Sequence, residues 1–525
     1  MNGASIKCRL ARGLAVVFVL LTAALGLAWS HAKLMSQDEM YAFQTASVPT
    51  VAELVHVQRT EPISLDPLLY PLLSHGAMKT FGVGEFALRL PALLGFLLMQ
   101  VCLFFFVRNM AGEQAGAVAM AFPALTATLY YSAEGRPYGL MLGLYALALL
   151  SWQAATRPTS ENPDVGHPNA RGWALAGLAL AIAATINTHY FGILLLAPIC
   201  AAEGVRSMQR RRMDWPVVGA IYVGMAGFAA TMPFLKAAGE FHQNYYNAES
   251  VGLHDITRAY RSIFVDYTPM SMTAQHLWMV LLVAFAAALV WGCARVMRDG
   301  REVRIAAAEW VLLLTLAALP FCGYLLARLV THSIEVRYVL GAVVAISAMV
   351  AIAVSPWLRR DGVFAVVMVA LGVAIVAAGA ARIHAEQKKT EARLASLVLP
   401  AEVKSALDAN PDGRLYMQDM GAFEEDRYYE PDADVRARMT LVYSRAEEMR
   451  WNRHDTMALT AMHMARFTGL PVVPYEALRA QPGEHLFVLY HTGWDWTDQA
   501  FAEDRARVRP VGRAMAGDVA AVGFQ

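Results

Sequence analysis

Two adjacent carboxylates, Asp38 and Glu39, stand in the stretch MSQDEMYAFQ (residues 35–44), just after an apolar run of about twenty residues. A carboxylate can accept the proton of an incoming hydroxyl group when it lies within hydrogen-bond reach. Acids at a membrane margin can also be solvated residues at a helix end, but ionisable groups at membrane depth are costly and tend to mark function. The pair therefore predicts a general base close to a membrane surface.

Further short segments place polar and aromatic residues in turns between apolar runs. These residues are Glu134, Arg136 and Tyr138 in YYSAEGRPYG, His189 in NTHYFG, and Arg337 and Tyr338 in HSIEVRYVL. Arginine holds a phosphate through two parallel hydrogen bonds, and tyrosine and histidine can bond a sugar or the same phosphate. If these turns share one side of the membrane, they form a polar cleft suited to moving a group from a phosphate-linked lipid donor to a hydroxyl acceptor.

Each of these residues also fits a simpler role. Glu134 and Arg136 could form a surface ion pair that contributes little to stability. Arg337 could anchor a helix end to lipid head groups by snorkelling, and His189 could belong to an interfacial aromatic belt. Convergence of the turns in space is what separates the cleft from these alternatives.

The elements that must position the turns are apolar helices. The chain of 525 residues is 57% hydrophobic and 17% charged, whereas soluble domains average about 25% charged residues. Runs long enough to span a bilayer, roughly 17–25 residues each, recur at 11–30, 87–107, 115–132, 138–155, 173–188, 191–205, 216–235, 276–294, 308–327, 338–355 and 363–381. The pattern predicts a polytopic α-helical membrane protein with about eleven transmembrane helices.

Basic residues in the short loops predict the orientation. Lysine and arginine collect on the cytoplasmic side of membrane proteins, and Arg210, Arg211, Arg212, Arg359 and Arg360 all fall in alternate loops of the predicted set. The N-terminus is therefore expected in the cytoplasm. An odd number of spans then places everything after about residue 382 outside the inner (plasma) membrane.

Two regions outside the spans carry structure of their own. The first outer loop, residues 31–86, contains the capping-box pattern TVAE, which predicts juxtamembrane helices. The tail contains the strand-like stretches RLYMQD, LVYS and HLFVLYH between helical segments. We therefore predict two domains: a transmembrane domain at 1–382 and a soluble extracytoplasmic (periplasmic) α/β domain at 383–525.

Several classes of protein are excluded by the sequence. It has no Walker loop, no GxGxxG motif and no paired CxxC motifs, which argues against an ATP-driven pump and a nucleotide-binding enzyme. The net charge of +1 implies no attraction to nucleic acid. None of the five cysteines falls in the two long outer segments, residues 31–86 and 236–275, or in the tail, so no disulfide framework is expected there.

The order of the motifs resembles a known family. DEMY is followed by FGVGEFALRLP (81–91), EGRPY (134–138) and RYVL (337–340). This succession is similar to that of the C-type integral-membrane glycosyltransferases, and more closely to the superfamily of protein O-mannosyltransferases and bacterial aminoarabinose transferases. The resemblance covers about residues 30–205 well and the later spans loosely. One departure is LDPLLY at 65–70, where the family has His/Lys-Pro-Pro-Leu-Tyr; the basic residue and a proline are missing.

The resemblance implies an activity and a set of roles. The activity is transfer of a sugar from a polyprenyl-phosphate-linked lipid donor to a hydroxyl of a glycan, lipid or protein acceptor on the outer side of the membrane, with inversion. Asp38 would be the catalytic base, Glu39 its companion and Glu134 a second acid. The residues expected at the donor phosphate or sugar are Arg136, Tyr138, Arg337 and Tyr338, with His189 added from its position in a neighbouring turn. No cofactor is required, although the sequence permits a divalent metal with Asp38 or Glu134 as an oxygen ligand.

Two functions of other classes remain as alternatives. One is a polytopic transporter or lipid flippase with an outer ligand-binding domain. Transporters often contain inverted repeats and helices broken near the membrane midplane, and the sequence shows neither clearly. The other is a non-catalytic membrane assembly or sensor protein whose tail binds a ligand. Transfer of a labelled sugar from a polyprenyl-phosphate donor would separate all three.

Overall fold

The computed structural model describes residues 3–157, 170–245, 251–265, 271–299, 305–332, 334–360, 362–410, 413–490 and 496–524. Within these ranges an apolar helical bundle is followed by a small α/β domain. The bundle and its associated short helices are α1 (Gly3–Ala32), α2 (Gln37–Ala46), α3 (Val51–Thr60), α4 (Leu69–Phe81), α5 (Glu85–Ala111), α6 (Glu113–Leu125), α7 (Tyr138–Thr156), α8 (Ala170–Thr188), α9 (Leu196–Arg210), α10 (Trp215–Ala226), α11 (Phe228–Tyr245), α12 (Leu253–Phe264), α13 (Met272–Asp299), α14 (Ala307–Ala317), α15 (Leu319–Leu326), α16 (Ala342–Leu358) and α17 (Val363–Leu397).

Three short 3₁₀ helices complete the bundle, at Ala127–Ser132, Tyr190–Leu195 and Val336–Val339. In the part of the chain that is described, eight helices are long and apolar enough to cross a membrane. The pair α14 and α15 forms one further span if its bend of 55° is counted as a break within a single crossing, and α16 is a shorter apolar helix. All the predicted apolar runs coincide with helices, which confirms a polytopic helical membrane protein. The number eleven stays a prediction.

The centre of the bundle is built around α5 and α7, which touch along glycines. Gly95 on α5 faces the backbone of Leu140, and Gly143 on α7 faces the carbonyl of Gly95, so that a methyl group at either glycine would overlap main-chain atoms. Small residues let membrane helices approach closely. Because α7 begins at Tyr138, this contact fixes the turn at 134–138 against α5.

The loop between α1 and α5 contains short helices, as predicted. Helix α2 begins after Ser36, whose hydroxyl accepts the Glu39 backbone N–H while the Glu39 carboxylate accepts the Ser36 N–H. Helix α3 begins after Thr50, whose side chain accepts the Glu53 N–H. The cap of α2 is reciprocal, whereas in α3 only the bond to the Thr50 side chain is formed. Both caps satisfy backbone groups that have no partner within the helix.

The C-terminal part is an α/β domain, as the strand-like stretches predict. Its elements are α18 (Ala401–Asp408), β1 (Leu415–Met417), α19 (Met420–Tyr429), α20 (Ala433–Arg438), β2 (Met439–Tyr443), α21 (Arg445–Trp451), α22 (Thr456–Thr468), β3 (Val472–Pro474), α23 (Tyr475–Arg479), β4 (Glu484–Leu489), α24 (Trp496–Glu503), β5 (Arg507–Ala514) and β6 (Gly517–Gly523). The sheet order is β3-β2-β1-β4-β6-β5, with β1 to β4 parallel and the β6 pairings antiparallel. Helix α17 continues across the predicted domain boundary at 382/383.

The α/β domain packs directly on the short helices of the bundle. The Tyr429 hydroxyl accepts the Met35 backbone N–H at 2.9 Å and donates to the Glu85 carboxylate at 2.7 Å. His463 Nδ1 lies 3.0 Å from the carbonyl oxygen of Pro62. The domain is therefore held at two separate places, one beside α2 and one beyond the end of α3.

Candidate active site

A cavity of about 290 Å³ lies where α2, the turn before α7, the ends of the bundle helices and the α/β domain meet. The predicted site residues that line it are Asp38, Arg136, His189, Arg337 and Tyr338. Others in its wall are Gln37, Tyr41, Ser64, Asp66, Tyr190, Phe191, Thr456, Met457 and Thr460. Residues separated by about 300 positions in the sequence thus converge on one concave surface.

Asp38 is placed at the cavity by the start of α2. It is the second residue of that helix, and its side chain is 32% exposed. One carboxylate oxygen lies 3.2 Å from Arg337 Nη2 and 3.9 Å from Arg136 Nη2. Burial opposes ionisation, but the two guanidinium groups outweigh it, and the pKa of Asp38 lies below its ordinary value. The carboxylate is therefore charged at neutral pH.

Asp66 is a cavity residue that the sequence did not mark as part of the site. Its carboxylate lies 2.9 Å from Arg136 Nη1 and accepts the Ser64 hydroxyl at 3.0 Å. Burial raises its pKa above the ordinary value. The sequence did contain a signal for Asp66, because it is the one acid in the apolar stretch LDPLLY. A charged side chain needs a partner when the stretch around it is buried.

Unsatisfied hydrogen-bond donors gather beside Asp38. Arg136 Nε, Arg337 Nε and the Tyr138 hydroxyl are buried and have no hydrogen-bond partner among the described residues. The Tyr138 ring centroid lies 6.0 Å and 5.9 Å from the guanidinium carbons of the two arginines. A buried donor without an acceptor costs about 1–3 kcal/mol. Two cationic donors and a hydroxyl left open together fit an anionic, oxygen-rich ligand such as a phosphate.

Aromatic rings form the wall next to these donors. The ring centroids of His189 and Tyr338 lie 4.8 Å apart, those of Phe191 and Tyr338 4.5 Å, and those of Tyr138 and His189 5.5 Å. His189 Nδ1 accepts the Phe191 backbone N–H at 3.2 Å. In a neutral imidazole the other nitrogen then carries the proton, so Nε2 of His189 is a donor.

Glu39 faces away from the cavity. It is fully buried, with its carboxylate 2.7 Å from Lys33 Nζ and 2.8 Å from Arg89 Nε. It also accepts the backbone N–H of Gly135 at 2.6 Å. Burial opposes its ionisation, but Lys33 and Arg89 hold its pKa well below the usual range. The predicted companion of Asp38 thus joins α2 to the turn that carries Arg136.

Glu134 does not line the cavity either. The residue is 6% exposed, and its Oε2 has no hydrogen-bond partner among the described residues. Burial raises its pKa to about 7, although the nearby Lys33 charge acts in the opposite direction. A large fraction of Glu134 is therefore protonated at neutral pH. This predicted second acid is thus influenced by the charges of Lys33 and Glu39 and lies outside the lining of the cavity.

A metal site was permitted by the sequence. Among the described residues no group of three or more His, Cys, Asp and Glu side chains is arranged to hold a metal ion. A second cavity, of about 340 Å³, lies between α12 and α13 and contains Arg258 and Arg261. The described residues that line it include no carboxylate, whereas the first cavity is lined by Asp38 and Asp66.

Comparison with known proteins agrees with this geometry. Residues 66–235 match the family model described as dolichyl-phosphate-mannose-protein mannosyltransferase. The crystal structure of ArnT from Cupriavidus metallidurans in the apo state superposes with a TM-score of 0.60 at 13% identity, covering 97% of this chain and 98% of ArnT. The same protein bound to undecaprenyl phosphate superposes with a TM-score of 0.59 at 14% identity and the same coverage. A search of curated protein sequences returns no match.

The fold and the family match together confirm the resemblance that the motifs indicate. The match over 66–235 includes the turn with Glu134, Arg136 and Tyr138. The superposition extends over nearly the whole chain, including the α/β domain. The chain therefore has the fold of ArnT and matches the mannosyltransferase family model over residues 66–235.

Proposed function

We propose that this chain is a glycosyltransferase that moves a sugar from a polyprenyl-phosphate-linked donor to an acceptor hydroxyl. The observation that carries the proposal is a single cavity in which the ionised Asp38 faces Arg136 and Arg337, both with an unused buried donor. ArnT of Cupriavidus metallidurans, which shares the fold, binds undecaprenyl phosphate. A lipid phosphate of that class is the donor carrier that we infer here.

The arginines and Tyr138 bind the donor phosphate. Its oxygens accept from the open Nε–H groups of Arg136 and Arg337 and from the Tyr138 hydroxyl. Charge-assisted hydrogen bonds of this kind are roughly twice as strong as neutral ones. The aromatic wall of His189 and Tyr338 then lies against the sugar, with Nε2 of His189 available to donate to one of its oxygens.

Asp38 acts as the general base. The acceptor hydroxyl gives its proton to the Asp38 carboxylate while its oxygen attacks the anomeric carbon of the sugar from the face opposite the phosphate. The bond between that carbon and the phosphate oxygen breaks, and the electron pair leaves with the lipid phosphate. Arg136 and Arg337 stabilise the charge that develops on the leaving group. A single displacement of this kind inverts the anomeric centre.

Glu39 and Glu134 have supporting roles in this proposal. Glu39 holds the 134–138 turn on α2 through the Gly135 N–H and so keeps Arg136 near Asp38. Glu134, buried beside that network, is neutral when protonated and adds no second negative charge next to Glu39. Neither carboxylate touches the substrates.

The orientation in the membrane is also proposed. Basic residues at the ends of α9 and α16, including Arg210 and Arg359, favour the cytoplasm for that end of the bundle. The cavity and the α/β domain then face the extracytoplasmic side of the inner (plasma) membrane, with the N-terminus in the cytoplasm. The two domains are those of the sequence prediction, 1–382 and 383–525.

The test is the substitution Asp38→Asn in the purified full-length protein. Transfer of a radiolabelled sugar from a polyprenyl-phosphate donor should fall at least a thousandfold, because an amide cannot accept the proton, while undecaprenyl phosphate still binds. Asp434→Asn is the matched control, since the Asp434 side chain is 73% exposed and remote from the cavity. Normal turnover in the Asp38 variant would refute the base assignment. Lipid movement across vesicles by the wild type without any glycosylated product would support the transporter alternative instead.

A further inference from the structure

One wall of the cavity comes from the α/β domain. Thr456, Met457 and Thr460 on α22 line it. The Met457 sulfur lies 3.6 Å from Gln37 Nε2 and 3.5 Å from the Tyr41 hydroxyl, and both of these residues belong to α2. The first turns of α22 are therefore fixed beside the helix that carries Asp38.

The sheet topology explains why α22 arrives at this place. From β1 the chain moves to β2 and β3 on one side, and later to β4 on the other side. In open α/β sheets the crevice at the carboxyl ends of the strands, where the order reverses, is the usual place for a ligand. Helix α19 starts at this edge, and its Gly421 is packed so closely on Gln37 that a Cβ atom would lie 2.7 Å from the Gln37 side chain. The start of α19, at the carboxyl end of β1, thus packs on Gln37, a residue that lines the cavity.

Donor and acceptor must reach the cavity from different sides. The polyprenyl chain of a lipid donor stays in the membrane, so its phosphate enters along walls formed by membrane helices and the turns that join them. Those walls include Arg136 and Arg337, each with an unsatisfied Nε donor among the described residues. The α22 wall belongs to the soluble domain and contributes no cation among its lining residues. It is suited to an uncharged, hydroxylated group and not to a second phosphate.

We propose that α22 forms the acceptor-binding wall, with the Thr456 and Thr460 hydroxyls bonding a hydroxyl-rich acceptor and Met457 packing against it. The inference rests on the proposed glycosyl transfer and specifies which part of the chain selects the acceptor. Thr460 already donates its hydroxyl proton to the Thr456 carbonyl at 2.8 Å, so it receives a hydrogen bond from the acceptor. Thr456 is half-buried at the cavity, and its hydroxyl can donate or accept.

The test separates acceptor binding from donor binding in the full-length protein. Extracted host membranes, titrated by dilution, supply the acceptor for transfer from a radiolabelled polyprenyl-phosphate sugar. Undecaprenyl phosphate alone is the probe for the donor side. Thr456→Val should raise the apparent KM for the acceptor about fivefold, the effect of one lost hydrogen bond, and Thr456→Ser should restore it. Met457→Trp should raise that KM more than tenfold, because the larger side chain would occupy part of the cavity beside α22.

Affinity for undecaprenyl phosphate should stay within twofold in these variants. Thr468→Val, at the far end of the same helix, is the matched control because the Thr468 hydroxyl donates to the Met464 carbonyl and does not line the cavity among the described residues. It should change neither quantity. An unchanged acceptor KM in Thr456→Val and Met457→Trp, or a loss of lipid affinity instead, overturns the assignment of α22. If the wild type neither binds undecaprenyl phosphate nor transfers sugar, the proposed function itself fails.

Discussion

Replacing Glu39 by glutamine gives the sharpest test of how the site is held together. The change keeps the shape of the side chain but removes the charge that faces Lys33 and Arg89. Arg89 retains the Glu85 carboxylate at 2.9 Å. Lys33 retains the Tyr130 hydroxyl at 3.2 Å, and the acid that remains near it, Glu134, has a pKa raised by burial to about 7.

The expected loss of stability follows from this geometry. Breaking a buried ion pair by removing one partner costs about 3–5 kcal/mol, because a charge is left without compensation. Because Arg89 keeps its other partners, we expect a loss in the free energy of unfolding near the lower end of this range, about 3 kcal/mol. For a chain of this size such a loss corresponds to roughly 6 °C in Tm, at about 2 °C per kcal/mol. Thermal unfolding in detergent measures it.

Transfer activity should fall as well, but for a reason other than lost chemistry. The glutamine oxygen can still accept the Gly135 N–H, but the bond loses its charge assistance, so the turn with Arg136 is held less firmly beside Asp38. We expect kcat to drop about tenfold to a hundredfold while the pH profile of transfer keeps its shape, since the proposed base, Asp38, is unchanged. A displacement of about 1 Å in a catalytic group can cost a hundredfold.

A double variant provides the internal control. Adding Lys33→Met to Glu39→Gln removes the uncompensated charge. The double variant should therefore lose less free energy of unfolding than the sum of the two single variants, by about 0.5–3 kcal/mol, which is the usual coupling between contacting residues. Our reasoning is refuted if Glu39→Gln is as stable as the wild type yet inactive. That outcome would make Glu39 a participant in the reaction.

Two further changes address other parts of the fold. Burial raises the pKa of Glu134 to about 7, so between roughly pH 4.5 and 7 the folded state holds a proton that the unfolded state has lost. As the pH rises through this range, Glu134 should lower the free energy of unfolding by at most about 1.4 kcal/mol per pH unit. Glu134→Gln should remove this contribution to the slope of stability against pH, and an identical slope in both proteins would contradict it. Gly95→Ala should destabilise the bundle by several kcal/mol or prevent its assembly, because the methyl group would overlap the Leu140 backbone. Gly76→Ala is the control and should be neutral or slightly stabilising, because the space around its Cβ position is open. Equal expression and Tm for the two variants would argue against the close contact of α5 and α7.

Much of the architecture could be predicted because membrane-spanning helices are recognised from the length and apolar composition of their sequences. The convergence of Asp38, Arg136 and Arg337 also followed from topology, since alternate loops of a helical bundle meet at one end. The number of crossings could not be fixed in the same way. The apolar run at 308–327 is bent between α14 and α15 beside Pro320, and a proline at this place interrupts the hydrogen-bonding pattern without lowering the hydropathy.

The direction of individual acids was harder to predict than their location. Asp38 and Glu39 are neighbours in the sequence, but successive residues of an α-helix point about 100° apart. One therefore faces the cavity while the other faces Lys33 and Arg89. The same limitation hid Asp66, whose role depends on its partner Arg136. Sequence pattern gives the position of a charged residue, whereas only the packed structure gives its partner.

The contact between Asp38 and Arg337 has a kinetic consequence. In the structure the proposed base lies 3.2 Å from Arg337, a guanidinium group that the proposed donor phosphate also contacts. While Arg337 and Arg136 face the carboxylate without another anion, they depress its proton affinity. A phosphate bound to the same arginines would offset part of their charge and raise the basicity of Asp38. In the proposed mechanism the strength of the base is therefore coupled to the presence of the leaving group.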